Sequence, residues 1–279
     1  MHFSQDTLPA LLDDFSQNGY AILPHIVPTP LLNRLRQFFE EEMQQPLQGE
    51  GKAINEVRGV QYICNIENLC QRQNLACLEL LAQPFVQTVA AAVCGPDFFP
   101  IQDFAVVKCL GDNLPVLWHQ DMTHQRMGRC CTMGIYLDDA HENDGALRVV
   151  PGSHLSNASI CELSQQPFIA VPMQAGSILI HDMMLAHSSE PLQHNPLRRV
   201  IYFEFLSAAH VAAEAIYNEA IVQRRTRLLQ VAADYQYLLE KGATDLSEIR
   251  LALGEIYCDW VKARPSTYCL DVHYHMDGQ

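Results

Sequence analysis

The stretch Asp144-Gly145-Ala146-Leu147-Arg148-Val149-Val150-Pro151-Gly152-Ser153-His154 joins a short β-rich run, Ala146 to Val150, to a Pro-Gly turn. Proline fixes φ and glycine admits a left-handed one, so the run ends there. The same texture extends to both sides. Phe104-Ala105-Val106-Val107, Cys131 to Leu137, Ser177 to Ile180 and Val200 to Leu206 are further short apolar runs punctuated by turn residues.

Outside this block the periodicity becomes helical. Leu11, Leu12 and Phe15 recur at helical spacing, Gly19 breaks the pattern, and Tyr20 to Leu23 reads as a short strand. Pro28 and Pro30 open a helix with the apolar stripe Leu31, Leu32, Leu35, Phe38 and Phe39, and Glu40-Glu41-Glu42 reads as its solvated end. Gln44 to Lys52 reads as a loop. A second helical pattern runs from Leu75 to Val93 and stops at Cys94-Gly95-Pro96. Beyond Val211, Leu228, Ala232, Tyr235 and Leu239 fall on one face before Gly242. Helices, then many strands, then helices predict one mainly β domain over 1–279, a sandwich or barrel braced by helices. Its expected parts are a mostly helical 1–97, a strand core 98–206 and a helical extension 207–279.

The chain has 279 residues, 48% hydrophobic and 18% charged, which suits a globular protein with a sizeable core. Its formal net charge of −14 repels phosphate backbones and anionic lipid, so nucleic acid and membrane are not expected partners. Met1 to Asp6 carries no basic segment followed by an apolar run, and no apolar stretch is long enough to span a bilayer. The ten cysteines include no CxxC pair and read as reduced, buried thiols. The expected compartment is the cytoplasm.

Trp118-His119-Gln120-Asp121 sets an imidazole and a carboxylate two positions apart. In extended backbone both point to one side and can reach one ion. His187, in Met183 to Ser189, is the candidate third ligand. Two imidazoles and a carboxylate on one face of an octahedral ion leave positions open for a co-substrate and O2, the facial triad of non-haem iron(II) oxygenases. HxD alone recurs by chance among 12 histidines, and His181, His124, His194 and the His273/His275 pair read as ordinary surface or core histidines. Arg198-Arg199 then opens a strand-like run through Leu206. A dicarboxylate that chelates iron at its keto-acid end needs a cation at the other, and guanidinium gives a bidentate fork. Ser189 could add a hydroxyl. Strand alternation sets Arg199 with Ile201, Phe203 and Phe205, an apolar face, and Arg198 with Val200, Tyr202 and Glu204, a more polar one.

Asp144 to His154, with Trp118 to Asp121 before it and His187, Ser189 and Arg198 after it, resembles the phytanoyl-CoA dioxygenase family of Fe(II)/2-oxoglutarate-dependent oxygenases. The similarity spans roughly Leu8 to Leu206. It implies a double-stranded β-helix, a jelly roll with the metal inside. It implies that His119, Asp121 and His187 bind iron, and that 2-oxoglutarate is bound by Arg198, eleven positions beyond His187 (198 − 187 = 11), with Ser189. The Pro151-Gly152-Ser153-His154 turn is then architectural and His154 no ligand. Asp121 argues against the family's halogenating branch, in which a small residue stands there. One departure is Gly134, where many relatives place a tryptophan bordering the co-substrate.

The expected activity is hydroxylation of a small-molecule metabolite, with 2-oxoglutarate and O2 consumed and succinate and CO2 released. A zinc hydrolase on the same ligands would need a general base beside the metal-bound water and no Arg198. A non-catalytic barrel would need neither. The expected pocket walls are Gln44 to Asn55, Thr123 to Arg129, and the C-terminal helices as a lid.

Overall fold

The structure, a computed structural model, describes residues 7–44, 51–121, 129–207, 217–258 and 267–270. His124, His273, His275, most of the Thr123–Arg129 wall and part of the Gln44–Asn55 wall lie outside the described residues.

The chain runs α1 (Leu8–Asn18), β1 (Tyr20–Leu23), α2 (Thr29–Gln44), β2 (Lys52–Val57), β3 (Val60–Glu67), α3 (Ala76–Leu81) and α4 (Pro84–Cys94). Next come β4 (Phe99–Cys109), β5 (Val116–Gln120), β6 (Cys130–Tyr136), β7 (Leu147–Val149), α5 (Ile160–Leu163), β8 (Ile169–Val171), β9 (Ile178–His181), β10 (His187–Ser189) and β11 (Leu197–Leu206). It closes with α6 (Glu219–Glu240), α7 (Ser247–Tyr257) and β12 (Thr267–Tyr268). Two antiparallel sheets result, in the orders β1-β9-β6-β11-β4-β3-β2 and β12-β5-β10-β7-β8. This is a mainly β fold with flanking helices, a double-stranded β-helix.

Each face of the larger sheet has its own covering. Ile201, Phe203 and Phe205 of β11 join α2, α3, α4, α6 and α7 in one core. Val200 and Tyr202, alternate residues of the same strand, pack with Leu147, Val149 and Val171 of the smaller sheet. β6 is buried along its whole length because both faces are covered. The site lies between the sheets, on the β5 and β10 side.

Several elements depart from the sequence expectation. The Leu75–Val93 pattern is two helices, because Pro84 cannot continue a helix from α3 and instead starts α4. The first 97 residues also contribute three strands to the larger sheet. β2 and β3 form a hairpin at Arg58-Gly59, both at positive φ (52° and 80°), the conformation of a primed two-residue turn. That Arg-Gly pair between alternating runs was the signal available for it. Glu42 is not solvated: it is buried against Lys52 Nζ (3.1 Å) and Arg72 Nη1 (3.6 Å), tying α2 to the hairpin base. Leu239 is exposed, unlike Leu228, Ala232 and Tyr235. α6 packs on α3 and β4, and α7 on α6 and the turn at 69–71, all on the helical side, so they do not form the expected lid. Cys161 and Cys269 form a disulfide, contrary to the expectation of reduced thiols throughout. The other eight cysteines form no disulfide.

Candidate metal centre

β5 ends by presenting His119 inward, and Asp121 follows just beyond the strand end. β10 lies antiparallel to β5 in a register that sets His187 opposite His119. The three ligand groups therefore converge from two adjacent strands. Their donor atoms lie within 4.8 Å of one another, the spacing of a shared ion. His119 Nε2 is 3.3 Å and His187 Nε2 3.7 Å from Asp121 Oδ1.

The imidazoles are set in matching ways. Nδ1 of His119 donates to the Leu117 carbonyl (2.8 Å), and Nδ1 of His187 to the Leu185 carbonyl (2.9 Å). A carbonyl only accepts, so the proton sits on Nδ1 and the Nε2 lone pair faces the third ligand. Burial, then the neighbouring His119, holds His187 well below the ordinary imidazole range, so it is neutral. Burial works against ionising Asp121, but His187 and the other imidazoles outweigh it and its carboxyl is depressed. Its Oδ2 accepts from Thr132 Oγ1 (3.0 Å), which leaves Oδ1 toward the histidines. Two imidazole nitrogens and one ionised oxygen in a facial set suit an iron(II) ion.

The Pro-Gly-Ser-His turn braces this centre from behind. Ser153 Oγ accepts from the Ala186 backbone N–H (2.9 Å), immediately before His187, and Val150 N–H bonds the Ala186 carbonyl (3.0 Å). His154 faces the C-terminal end of α1, with Nε2 3.2 Å from the Ser16 carbonyl, away from the ligands. Its ring occupies the space beside Gly19: a Cβ there would come within 2.6 Å of Nδ1, and Gly19 sits at φ +82.

Below the ligands lies a well of about 50 Å³ lined by Phe104, Leu147, Ser189, Arg198 and Tyr202. Arg198 is 1% exposed, and its Nε and Nη1 are buried with no hydrogen-bond partner among the described residues. Nη2 reaches Tyr202 Oη at 3.4 Å, and the guanidinium lies 5.4 Å from the Tyr136 ring centre. Buried guanidinium donors are rarely left unpaired, so the well suits a carboxylate. Asp144-Gly145 shapes the approach to it. Asp144 accepts from the backbone N–H of Gln193 (2.7 Å), His194 (3.1 Å) and Asn195 (3.0 Å), ordering the turn into β11. Gly145, at φ +83, lies under the arginine: a Cβ would meet Leu192 Cδ2 at 2.7 Å and Arg198 Cδ at 3.1 Å.

Ser189 is buried one alternate residue beyond His187 and lines the same well. Arg199 faces the other side, where Nε and Nη2 hold Asp138 at 2.8 Å each. At Gly134, Tyr202 from the paired strand takes the space where the tryptophan was expected: a Cβ would stand 2.9 Å from Tyr202 Cε1. The Tyr202 ring stacks on Phe104 at 5.2 Å.

Three neighbours were missed from sequence. His181, expected to be a bystander, is 1% exposed, its ring 4.6 Å from that of His187 and its Nδ1 3.9 Å from Asp121 Oδ2. Lys108, opposite Arg198 on β4, donates to the carbonyls of Leu114 (3.0 Å), Ser189 (3.2 Å) and Glu190 (2.9 Å). Burial, then the Arg198 charge, lowers it to about 7. Tyr268 of β12 stacks on His119 at 5.0 Å. A larger cavity of about 440 Å³, beside α1 and α4, has no such donor set among the described residues.

Comparison with known proteins agrees with this architecture. EvdMO1 superposes with a TM-score of 0.67 at 26% identity, covering 72% of this chain and 50% of that one. AviO1 from Streptomyces viridochromogenes Tue57 does so with 0.67 at 26%, covering 74% and 98%. L-proline trans-4-hydroxylase from Streptomyces griseoviridis is 26% identical over 163 residues, 55% of this chain. The match spans 57% of the hydroxylase's length. Residues 15–200, more than half of the chain, match the model for phytanoyl-CoA dioxygenase. That span holds the two strands carrying the ligands, the turn that braces them and the start of β11, and on it the chain belongs to the phytanoyl-CoA dioxygenase family.

Proposed function

We propose that this protein is a dioxygenase that uses iron(II), 2-oxoglutarate and O2 to hydroxylate a small-molecule metabolite, with release of succinate and CO2. His119, Asp121 and His187 hold the iron; Arg198 and Ser189 hold the co-substrate. The observation that carries this reading is the pair of unpartnered Arg198 nitrogens in the well that also contains the three ligands. A dicarboxylate anchored there spans from guanidinium to metal. When bound, the iron and its co-substrate supply the oxidising power to break an unactivated C–H bond. The chain's own residues do the positioning. The Leu117 and Leu185 carbonyls fix the imidazoles, Thr132 fixes the carboxylate, and Phe104, Leu147 and Tyr202 exclude water from the well.

A zinc hydrolase would leave Arg198 buried without a role, which weighs against it. The carboxylate at Asp121 favours hydroxylation over halogenation. The similarity to a proline hydroxylase supports a small substrate, as does the charge of −14, which disfavours nucleic acid. No helix among the described residues is long and apolar enough to cross a membrane. We assign the protein to the cytoplasm, since eight of the ten cysteines form no disulfide; the Cys161–Cys269 bond is the feature that runs against this assignment. The jelly roll and both flanking regions act as one domain over 1–279.

The test is anaerobic iron(II) titration of the apoprotein, which should saturate near one equivalent. Adding 2-oxoglutarate should produce a weak visible charge-transfer band, and admitting O2 should yield succinate. His119→Ala and His187→Ala should abolish the band; His181→Ala and His154→Ala should keep it. Loss of the band in His181→Ala but not in His187→Ala would mean that the distal ligand is wrongly assigned.

A further inference from the structure

The inward face of β11 carries Arg198, Val200, Tyr202 and Glu204 in alternation. Six residues at about 3.3 Å each separate the arginine from the glutamate by roughly 20 Å. The metal ligands lie between these ends, as Asp121 and His119 line both the well that contains Arg198 and the chamber that contains Glu204. This chamber, of about 320 Å³, is also lined by Asn65, Glu67, Gln102 and Tyr268. That volume, at the low end for small-molecule sites, fits a compact metabolite.

Glu204 is 4% exposed, and its Oε2 is buried without a hydrogen-bond partner among the described residues. Its cross-strand neighbours on the same face are Gln102 of β4 and Thr132 of β6. The Thr132 hydroxyl gives its only proton to Asp121 and has none for Glu204. Lys108, the cation lining the chamber, spends its ammonium on three carbonyls. Burial, then repulsion from Asp121, outweighs the attraction of Arg225 and raises Glu204 well above the ordinary carboxyl range, so a cation beside it is what would ionise it. A buried carboxyl oxygen without a donor forgoes a hydrogen bond that a ligand in the chamber can supply. Glu67 adds a third carboxylate to the lining. Glu204 and Glu67 line the part of the chamber away from the metal, and an ammonium supplies the donors and the positive charge that their oxygens can take up.

Building on the iron and 2-oxoglutarate reading above, we infer that Glu204 anchors a protonated amine, and that the substrate is a small ammonium-bearing metabolite. The ammonium sits at the Glu204 end of the chamber and directs the carbon skeleton toward the Asp121 side of the metal. The co-substrate occupies the Arg198 end, so one strand face sorts the two ligands by charge.

The test uses the iron-loaded protein with 2-oxoglutarate under nitrogen, so that nothing turns over, with calorimetry as the readout. The probes are n-butylammonium, n-butanol and n-butyrate, matched in shape and differing in charge. Wild-type protein should bind n-butylammonium at millimolar concentration, and the alcohol and the anion at least about tenfold more weakly. Glu204→Gln keeps the shape and removes the charge; it should weaken the amine about 10- to 100-fold and leave n-butanol within a few-fold. Equal binding of the three probes by the wild type, no amine binding, or an unchanged amine affinity in Glu204→Gln overturns the inference. The wild-type comparison stands even if the variant folds poorly. The affinity for 2-oxoglutarate, titrated in parallel, reads the underlying assignment separately: its absence sinks that assignment, whereas its presence without amine selection sinks only this one.

Discussion

Arg198 and Arg199 are chemically identical neighbours whose surroundings are opposite. Arg198 faces the well with two free nitrogens, whereas Arg199 is closed by Asp138 on two nitrogens and rests 6.0 Å over the Phe39 ring. Removing one partner of a buried charge pair costs about 3–5 kcal/mol. For Arg198→Ala that loss falls on 2-oxoglutarate affinity, roughly two to four decades at 1.4 kcal/mol each, with iron binding retained. For Arg199→Ala it falls on folding, at or below that range, while 2-oxoglutarate affinity stays within a few-fold. Anaerobic calorimetry and urea unfolding of both variants separate the two effects, and the reverse ranking would refute the assignment. The two arginines were separable in the sequence because strand alternation is local: apolar Ile201, Phe203 and Phe205 follow Arg199 at every second position. His181 was not separable. It reaches the site from β9, through pairing with Thr132 of β6, and no spacing within Ile178 to His187 encodes that contact.

β12 is two residues long, yet it lays an aromatic ring on a candidate metal ligand. It pairs with β5 as Tyr268↔His119, the Cys269 N–H bonds the Trp118 carbonyl (2.9 Å), and Cys161 of α5 ties down the end. Two rungs of ladder hold a strand weakly, and the disulfide adds a covalent restraint to the packing of Cys269 against Trp118 and Ile160. The cysteines are 108 residues apart, a closure worth about 4–5 kcal/mol on chain-entropy grounds. Distance in sequence also hid the pair, since ten cysteines without a short spacing motif give no partner. The lid expected from α6 and α7 went astray for a related reason: α6 is covered by α3 and β4, and α7 by α6 and the turn at 69–71, on the far side of the sheet. Non-reducing peptide mapping should recover Cys161 linked to Cys269. Reduction, or Cys161→Ser, should speed amide exchange over 267–270 and 116–120 while leaving β6 protected. Unchanged exchange over 267–270 after reduction would show that the disulfide does not hold this segment.

At the scale of the whole molecule, the helical layer must stay locked to the sheet for the inner face of β11 to keep its register. Asp103 of β4 is one of the locks. Its Oδ2 accepts from the Cys70 N–H (2.7 Å) in the turn before α3, and its Oδ1 from Tyr257 Oη (2.9 Å) at the end of α7. Burial dominates these favourable bonds and the attraction of Arg225, and raises Asp103 from 3.8 to about 6. The folded state therefore holds a proton that the unfolded state releases above 3.8. Stability from this group is fully present below that value and is lost as pH rises to about 6. At about 1.4 kcal/mol per unit, the loss is on the order of 3 kcal/mol across the window. Asp103→Asn carries no titrating proton; its amide can accept from Cys70 and donate to the Tyr257 oxygen. Urea unfolding of both proteins through this range should show the stability of the wild type falling relative to the variant, with the difference levelling off above pH 6. A constant difference across the window would mean that Asp103 titrates as an ordinary carboxyl and that the lock carries no charge-linked cost.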